Sequence, residues 1–440
     1  MEKFFAVFKL GLKYLYRYKR RYGFLMVALV FGFAVVTFIT SLKDGMYDNV
    51  YYAAQSHYAG DIIAIGYDTN TSTYLINHLG QDEISVILNA ADRAEINPKY
   101  TVLRTIYGAN EIVHFNGNAI QLKRLMGCDW DKEAHLLNKM NFEEPVNSIL
   151  GNQDIIISVP IARQLGAKMG DNILLEIENR WGQKNTGTFI VRGIVNDTSI
   201  FGYYKAYISR LSLNRLIDYA DDDCSSIGFF FNEPDTAEHK RRQLQKVLSE
   251  QTRIQVGPLV YDRDQMALER NGPWEGLMVF LYTLPVYLSE ISELLDAMNI
   301  ITYLLYVMML LIILVSAAVT YRLILHERAK ELGTMRIIGF YGSDLRLVLW
   351  TEVLIIGFIS LIAGFILAQI LGWAVSLLSF SWFPGFEIFM KDGKLSPLYL
   401  PKTMFVNILL VFIVLFVMAL FPSIRVSRKN LPGLLSGEPL

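Results

Sequence analysis

Charged side chains are scarce in this sequence. Asp, Glu, Lys and Arg make up 19% of its 440 residues, whereas soluble globular chains carry about 25%. Hydrophobic residues make up 52%. The deficit of charge is concentrated in a few stretches, which predicts membrane segments beside a soluble part. The net charge of −1 indicates no particular class of partner, and we expect no nucleic acid.

Motifs of catalysis and metal binding are also missing. The sequence has no GxxxxGK[ST] phosphate loop, no HExxH, no CxxC and no GxSxG. Phosphate-loop ATP hydrolysis, zinc-protease chemistry and serine-hydrolase chemistry are therefore not expected. The six histidines are scattered, and none has the spacing of metal ligands. We expect neither enzymatic activity nor a cofactor or metal site in this chain.

Four apolar stretches are long enough to cross a bilayer, which takes about 20 helical residues. They are residues 23–42, 297–321, 348–386 and 403–424. The third is long for one helix and short for two, and we interpret it as one helix with an apolar extension. The first could be a cleaved signal peptide. Its long apolar run and the missing small-x-small cleavage site favour an uncleaved anchor.

Basic residues collect on the cytoplasmic side of membrane spans. Here they precede the first span, occur throughout the loop after the second and follow the fourth. Both termini, including the tail 425–440, are therefore predicted to be cytoplasmic, with residues 43–296 and the loop 387–402 outside. In residues 1–22 apolar side chains recur at helical spacing beside a basic stripe. This favours an amphipathic helix on the inner membrane surface, and a solvated basic tail is the alternative.

The outer region has two α/β halves around a strand-rich segment. Strand–helix–strand patterns lie in residues 43–110 and 223–272, and two such halves can close into one split βαβ subdomain. Residues 111–222 are rich in strand and turn patterns, which predicts an inserted β-rich subdomain. The predicted fold class is a membrane α-helical protein of four transmembrane helices with a large α+β extracytoplasmic domain.

The segment Pro273–Leu288, PWEGLMVFLYTLPVYL, fits neither subdomain. It is too short to span a bilayer and contains Pro285. We predict that residues 273–296 form a membrane-proximal stretch. The apolar segment is either buried where the outer domain meets the membrane, or it is an interfacial or substrate-contacting element, because exposed apolar patches usually mark interaction sites.

Only two cysteines are present, Cys128 and Cys224, which excludes a disulfide-dense scaffold. Both lie in the region predicted to be outside, where an oxidising compartment could pair them. Because a sequence contains no distance between two side chains, a disulfide and two free thiols are both open.

The loop between the second and third spans, residues 322–347, predicts a short cytoplasmic helix with both signs of charge. Such a surface suits a cytoplasmic partner, and a plain connector is the alternative. The loop resembles the signature of FtsX-like permeases, the type VII ABC transporter class. That signature is E-R-x-x-E-I-G-x-x-R-A-x-G-A, followed by a glutamate that opens a Gly-containing helix. Ile337 and Phe340 replace small residues. The matching positions are Glu327, Arg328, Glu331, Leu332, Gly333, Arg336, Gly339 and Glu352.

Two further segments carry this resemblance. DIIISVPIARQLGAKMGDNILLE followed by TFIVRGIVND is similar to the core of the family's extracytoplasmic domain. FPSIRVSRKNLPGLLSG is similar to its last span and tail. One span, a large outer domain and three more spans is also the topology of the family.

The resemblance implies a division of labour among several chains. Two permeases, identical or paralogous, pair in the membrane, and separate ABC ATPases bind ATP and dock on the cytoplasmic loops. The spans pass motion to the outer domains, and the substrate does not cross through them. The resemblance implies that one set of residues couples the permease to the ATPase: Glu327, Arg328, Glu331, Gly333, Arg336 and Gly339. It places Glu352 at the start of the third span.

Within the family, the large outer region without a fused ATPase looks most like permeases that release lipoproteins from the inner membrane. The outer domain would then lie in the periplasm and contact lipid and a lipoprotein. The alternatives are efflux or secretion with a periplasmic adaptor, and control of a cell-wall hydrolase or a sensor. The apolar segment then supplies candidate acyl-chain or gate residues: Trp274, Val279, Tyr282, Pro285 and Tyr287.

Overall fold

A computed structural model describes residues 19–69, 76–108, 110–138, 140–146, 150–196, 204–251, 253–380, 389–390 and 393–428. Most of the predicted amphipathic helix, the end of the predicted third-span extension and most of the C-terminal tail lie outside these residues. Contacts divide the chain into two units. The helical unit comprises Met1–Asp48, Leu295–Phe380 and Lys394–Leu440, and the α/β unit comprises Asn49–Leu294 and Ser381–Gly393.

The described residues form twelve α-helices. They are α1 (Lys19–Tyr58), α2 (Gln81–Arg93), α3 (Ala134–Leu137), α4 (Val159–Leu165), α5 (Arg210–Ile217), α6 (Ala237–Ser249), α7 (Arg263–Arg270), α8 (Leu284–Tyr287), α9 (Ser289–Glu327), α10 (Ala329–Ile337), α11 (Gly342–Leu377) and α12 (Pro401–Arg428). A 3₁₀ turn at Pro234–Thr236 precedes α6.

Thirteen strands are described as well. They are β1 (Ile62–Asp68), β2 (Ile76–Asn77), β3 (Tyr100–Tyr107), β4 (Ile112–Phe115), β5 (Asn118–Gln121), β6 (Arg124–Cys128), β7 (Asp154–Ser158), β8 (Asn172–Glu178), β9 (Lys184–Val195), β10 (Lys205–Ser209), β11 (Ser226–Phe230), β12 (Gln255–Val256) and β13 (Leu277–Thr283).

Four of the described helices are long and apolar enough to cross a membrane, which confirms the four predicted spans. Their candidate spans are Tyr22–Tyr58, Glu293–Glu327, Gly342–Leu377 and Pro401–Leu420. Helix α1 continues well beyond the predicted end at residue 42, because an apolar run marks the part that suits a bilayer and not the end of the helix. The helix ends where the backbone reverses at Ala59, whose φ is 62°.

The separate helix within the predicted cytoplasmic segment 322–347 is shorter than that segment. Its first residues continue α9 to Glu327, and its last residues already belong to α11, which begins at Gly342. Only α10, nine residues long, is a helix of its own there. Polar residues extend both membrane helices because they remain good helix formers outside the bilayer.

The core of the helical unit is built by all four long helices. Phe33 of α1, Ile313 of α9, Ile356 of α11 and Leu415 of α12 belong to one buried cluster. Glycines allow close contact between these helices, as small residues do in membrane proteins. A Cβ atom on Gly364 of α11 would lie 2.8 Å from a backbone carbonyl of α1.

In the α/β unit one sheet joins the two predicted subdomains. The strand order is β12-β13-β1-β11-β3-β6-β10-β7-β9-β8-β4-β5, with β2 beside β1. Strand β3 pairs with β11 through its first residues and with β6 through its last. Strand β11 lies between β1 and β3, as a split βαβ arrangement requires. The inserted part therefore continues the same sheet.

Alternate residues of β1 pack into two different apolar clusters, one on each face of the sheet. Ile62 and Ala64 pack on the side of the sheet that carries α2 and α6. Ile63, Ile65 and Tyr67 pack with residues of α7, β13 and α8. This alternation follows from the two-residue period of a strand and explains why both faces of β1 are apolar.

Residues 273–288 do not lie outside the α/β fold, so that part of the predicted domain division is wrong. Strand β13 is an internal strand that pairs with β1 from Leu277 to Thr283, and the short helix α8 follows it. A strand covered on both faces is a continuous apolar run. Such a run cannot be distinguished by pattern from a membrane-facing segment.

Candidate functional site

Helix α10 presents two different sides. Leu332 and Met335 are buried in the core of the helical unit. The next apolar residues along the chain are exposed: Ile337 is 60% accessible, Ile338 75% and Tyr341 76%. We call these three residues the apolar tip. They lie around a turn at Gly339, whose φ of +107° belongs to the region that glycine tolerates best.

At the other end of α10 lies a buried ion cluster of Tyr22, Arg328 and Glu352. The guanidinium group of Arg328 donates from Nη1 to Oε2 of Glu352 at 2.7 Å and from Nη2 to Oε1 at 3.2 Å. The Tyr22 hydroxyl donates to the same Oε2 at 2.7 Å and accepts from Nη1 at 2.6 Å. All three side chains are at most 1% exposed.

The geometry of this cluster explains how two charges can be buried. Removing an ion from water costs several kcal/mol, which is offset only by close pairing and further hydrogen bonds. A two-pronged arginine–carboxylate pair is the strongest such arrangement. Tyr22 belongs to α1, Arg328 lies between α9 and α10, and Glu352 belongs to α11. The cluster therefore fixes three helices relative to the start of α10.

The structure places the predicted coupling residues in different environments. Arg328 and Gly333 are buried, Glu327 and Gly339 are exposed, and the other two are half-buried. Arg328 is thus held inside the unit by Glu352. Sequence reasoning missed Tyr22 and the apolar tip. Only Ile337 of the tip had a signal, because it stands where the family signature has a small residue.

A second polar group lies about 22 residues further along α1, or roughly 33 Å at 1.5 Å per residue. The amide of Asn407 donates to Thr40 at 2.9 Å and accepts from the Tyr306 hydroxyl at 3.2 Å. The hydroxyl of Thr403 donates to Asp44 at 2.6 Å. We call these five residues the outer polar network. It joins α1, α9 and α12.

In the α/β unit Arg104 of β3 caps the carboxyl end of α1. Its Nη1 donates to the carbonyl oxygens of Ser56 at 2.8 Å and His57 at 3.2 Å. Its Nε donates to Glu133 at 2.9 Å, and both side chains are 1% exposed. A cation at the carboxyl end of a helix stabilises carbonyl groups that have no partner within the helix. This end of α1 is therefore fixed to the sheet.

The candidate gate residues are spread over the interior and the surface. Val279 and Tyr282 are fully buried, in separate apolar clusters on opposite faces of the sheet. Trp274 and Tyr287 are half-buried, and Pro285 is exposed. A charge at Val279 or Tyr282 would disrupt a core. Their role as gate residues stays a prediction that such substitutions would not test.

The predicted alternative of a disulfide is wrong, because Cys128 and Cys224 are free and buried. They lie in different apolar clusters. Burial raises the pKa of the Cys224 thiol to about 12 and also raises that of Cys128, where Glu133 adds to the effect. Both thiols are therefore unreactive in the folded protein. Within the described ranges, no group of three or more His, Cys, Asp or Glu side chains could hold a metal ion.

Comparisons with known proteins concern two parts of the chain. A search of curated proteins gave no match. The extracellular domain of the noncanonic ABC-type transporter YknZ from Gram-positive bacteria is 13% identical, with a TM-score of 0.30, over 50% of this chain and 98% of that one. The periplasmic region of MacB from Actinobacillus actinomycetemcomitans is 10% identical, with a TM-score of 0.30, over 54% and 95%. Likenesses this weak carry no conclusion about this chain.

The family match concerns the helical unit. Residues 303–431 match the FtsX-like permease C-terminal domain, a range that includes most of α9 and all of α10, α11 and α12. Arg328, Glu352 and the apolar tip all lie inside it. The predicted resemblance to FtsX-like permeases is confirmed, and the similarity is to the C-terminal domain of that family over residues 303–431.

Proposed function

We propose that the chain is the permease subunit of a mechanotransmission-type ABC transporter that releases lipoproteins from the inner membrane. A separate ATPase drives it, and a second permease completes the membrane part. The observation that carries the proposal is the two-sided helix α10, with a buried anchor at Arg328 and an exposed apolar tip directly after it.

The apolar tip supports docking of the ATPase. Three large apolar side chains, each at least 60% exposed, follow one another around a single turn. A cluster of this kind at a cytoplasmic loop fits the buried centre of a protein interface, where aromatic and aliphatic anchors contribute most of the affinity. Glu327 and Lys330 are exposed nearby and suit the polar rim of such an interface.

The buried ion cluster supports transmission of the motion. Because Arg328 cannot leave Glu352 without exposing a charge to an apolar interior, a displacement of α10 carries α11 and α1 with it. Helix α1 contributes to both units without a break. Its other end is capped by Arg104. In this proposal, a displacement at Tyr22 passes along α1 toward the end that Arg104 holds.

Release of a lipoprotein is the substrate assignment that the family resemblance favours. The chain has a large α/β unit in addition to its membrane helices, as lipoprotein-releasing permeases do. Efflux with an adaptor and control of a cell-wall hydrolase remain the competing functions, and the identity of the co-purifying protein distinguishes all three.

Docking is tested by substituting the apolar tip. The full chain carrying Ile338→Asp is co-expressed with an ABC ATPase of the same organism, and complex formation is measured after purification. Loss of one interface anchor costs about 2 kcal/mol or more, so the affinity for the ATPase should fall about 30-fold and much less ATPase should co-purify. The matched control is Leu174→Asp, an exposed apolar position of the α/β unit at 40% accessibility. Equal binding by both variants would contradict docking at the tip.

The substrate is tested on the same complex in a lipid environment. We expect mass spectrometry of the purified complex to find an acylated protein that ATP releases. A membrane-fusion adaptor or a murein hydrolase in its place would overturn lipoprotein release. That outcome would not affect the proposed ATPase docking, so docking at the apolar tip and lipoprotein release can be refuted independently.

A further inference from the structure

A cavity of about 310 Å³ lies within the α/β unit. One wall is the face of β1 that carries Ile63, Ile65 and Tyr67, and Met266 of α7 belongs to another wall. Tyr58 and Tyr287 also line it, and their rings are stacked at 4.1 Å. The cavity is at the lower end of the range of about 300–1,000 Å³ that is typical of small-molecule sites.

The polar groups of this cavity are mainly cationic. Arg124, Arg263 and Arg270 line it, and no carboxylate is among its described lining residues. The Nε of Arg270 is buried and has no hydrogen-bond partner. A buried donor without a partner is unfavourable, and a bound anion would supply the missing acceptor.

Two of the arginines affect the pKa of Tyr67 in the apolar wall. Burial raises the pKa of Tyr67, and the guanidinium groups of Arg270 and Arg124 oppose that rise. Both cations are therefore close to the aromatic side chains of the cavity. An apolar wall and a cationic group at short distance suit a ligand that is itself apolar at one end and anionic at the other.

We infer that this cavity binds a small, soluble anionic amphiphile: a single ring system or short chain that carries a sulfonate, carboxylate or phosphate group. The volume is too small for a lipid with two acyl chains. The anion pairs with Arg124 and Arg270, and the apolar body lies on Ile63, Ile65 and Tyr67. Such a ligand would touch Tyr58, the last residue of α1, and its binding is separate from any transport substrate.

The inference is tested with two probes that share a ring system. The full chain in phosphatidylcholine nanodiscs is titrated with 8-anilinonaphthalene-1-sulfonate and with neutral N-phenyl-1-naphthylamine, and fluorescence is corrected with empty nanodiscs. We expect saturable binding of the sulfonate. The double variant Arg124→Gln/Arg270→Gln should weaken sulfonate binding about tenfold or more and leave the neutral probe nearly unchanged. Ala267→Trp, which fills the cavity, should weaken both.

The charge control is Arg93→Gln/Arg253→Gln, two exposed arginines of the same unit, and it should bind the sulfonate like the unaltered chain. Size-exclusion profiles and unfolding temperatures show whether each variant is folded. Three results would overturn the inference: no saturable binding above empty nanodiscs, equal loss in the two double variants, or displacement of the sulfonate by nanodiscs that contain phosphatidylglycerol. The last result would identify a membrane lipid as the ligand.

Discussion

The two ends of the helical unit are held by polar groups of different kinds. At the cytoplasmic end the ion cluster buries one positive and one negative charge, with Arg328 1% exposed and Glu352 fully buried. At the other end the outer polar network consists mostly of hydroxyl and amide groups around Asn407. Its one carboxylate, Asp44, is also paired at 3.1 Å with Lys43, which is 20% exposed.

The difference lies in what each end loses when a bond breaks. Separating two buried, paired charges is costly, and the nearest other carboxylate to Arg328 is that of Glu331, whose Oε2 lies 3.7 Å from Nε, so Arg328 and Glu352 strongly favour one arrangement of their helices. The Thr40 hydroxyl keeps a bond to the carbonyl of Val36 at 3.0 Å even without Asn407. We therefore expect the cytoplasmic end to move as one body and the outer end to tolerate small shifts between helices.

The largest effect is expected for Glu352→Leu. It removes the two-pronged partner of buried Arg328 and leaves only the longer contact with Glu331, 3.7 Å from Nε; breaking a buried ion pair costs about 3–5 kcal/mol. The double variant Arg328→Met/Glu352→Leu should recover most of that stability, because an apolar pair of similar size replaces the ions. The measurement is the free energy of unfolding of the purified chain in detergent. The control is Arg215→Ala, which breaks an exposed pair and should change the stability little. Similar losses of unfolding free energy for Glu352→Leu and the control would show that water reaches the cluster.

An intermediate effect is expected midway between the two ends, at Gly364→Ala. The new Cβ would lie 2.8 Å from the backbone oxygen of Val30. Because this is a backbone atom, the clash can be relieved only by shifting α1 or α11. Overpacking of this kind costs about 1–3 kcal/mol. At Gly357 the new Cβ would meet only the end of the Leu415 side chain, at 2.4 Å. That end can rotate away, so Gly357→Ala should cost less. The reverse order of the two melting temperatures would contradict close contact between α1 and α11.

The smallest effect is expected at the outer end, for Asn407→Ala. The substitution removes the bonds to Thr40 and Tyr306, and hydrogen bonds between membrane helices average about 0.6 kcal/mol each, with a maximum near 1.7. A total loss of about 1 kcal/mol should appear in the same unfolding assay. A loss as large as that of Glu352→Leu would remove the contrast between the two ends. Thr334→Ala, on the exposed side of α10, should have no effect.

The spans and many strands could be predicted from the sequence because their signals are local. The apolar runs correspond to α1, α9, α11 and α12, and the strand patterns predicted across residues 111–222 correspond to strands such as β7, Asp154–Ser158. Local patterns failed at β13, because a strand between two neighbours has the same apolar composition as a segment that contacts lipid.

The candidate site could be predicted only in part, since its key pairings are between distant residues. The loop signature identified Arg328 and Glu352 but assigned only the former to the ATPase. Tyr22 is 306 residues from Arg328, and nothing in the basic segment around it indicates a hydroxyl that bridges two ions. The cavity beside β1 could not be predicted either, because its arginines come from β6 and α7.

The cap at the end of α1 has a consequence for rotation. Successive residues of a helix are turned by about 100° around its axis, so the carbonyl oxygens of Ser56 and His57 lie at different positions around that axis. One guanidinium group binds both at once, and Glu133 holds that group in place. A twist of α1 would carry one carbonyl off Arg104 before the other. The contacts of Arg104 therefore resist rotation of the carboxyl end of α1 about its own axis.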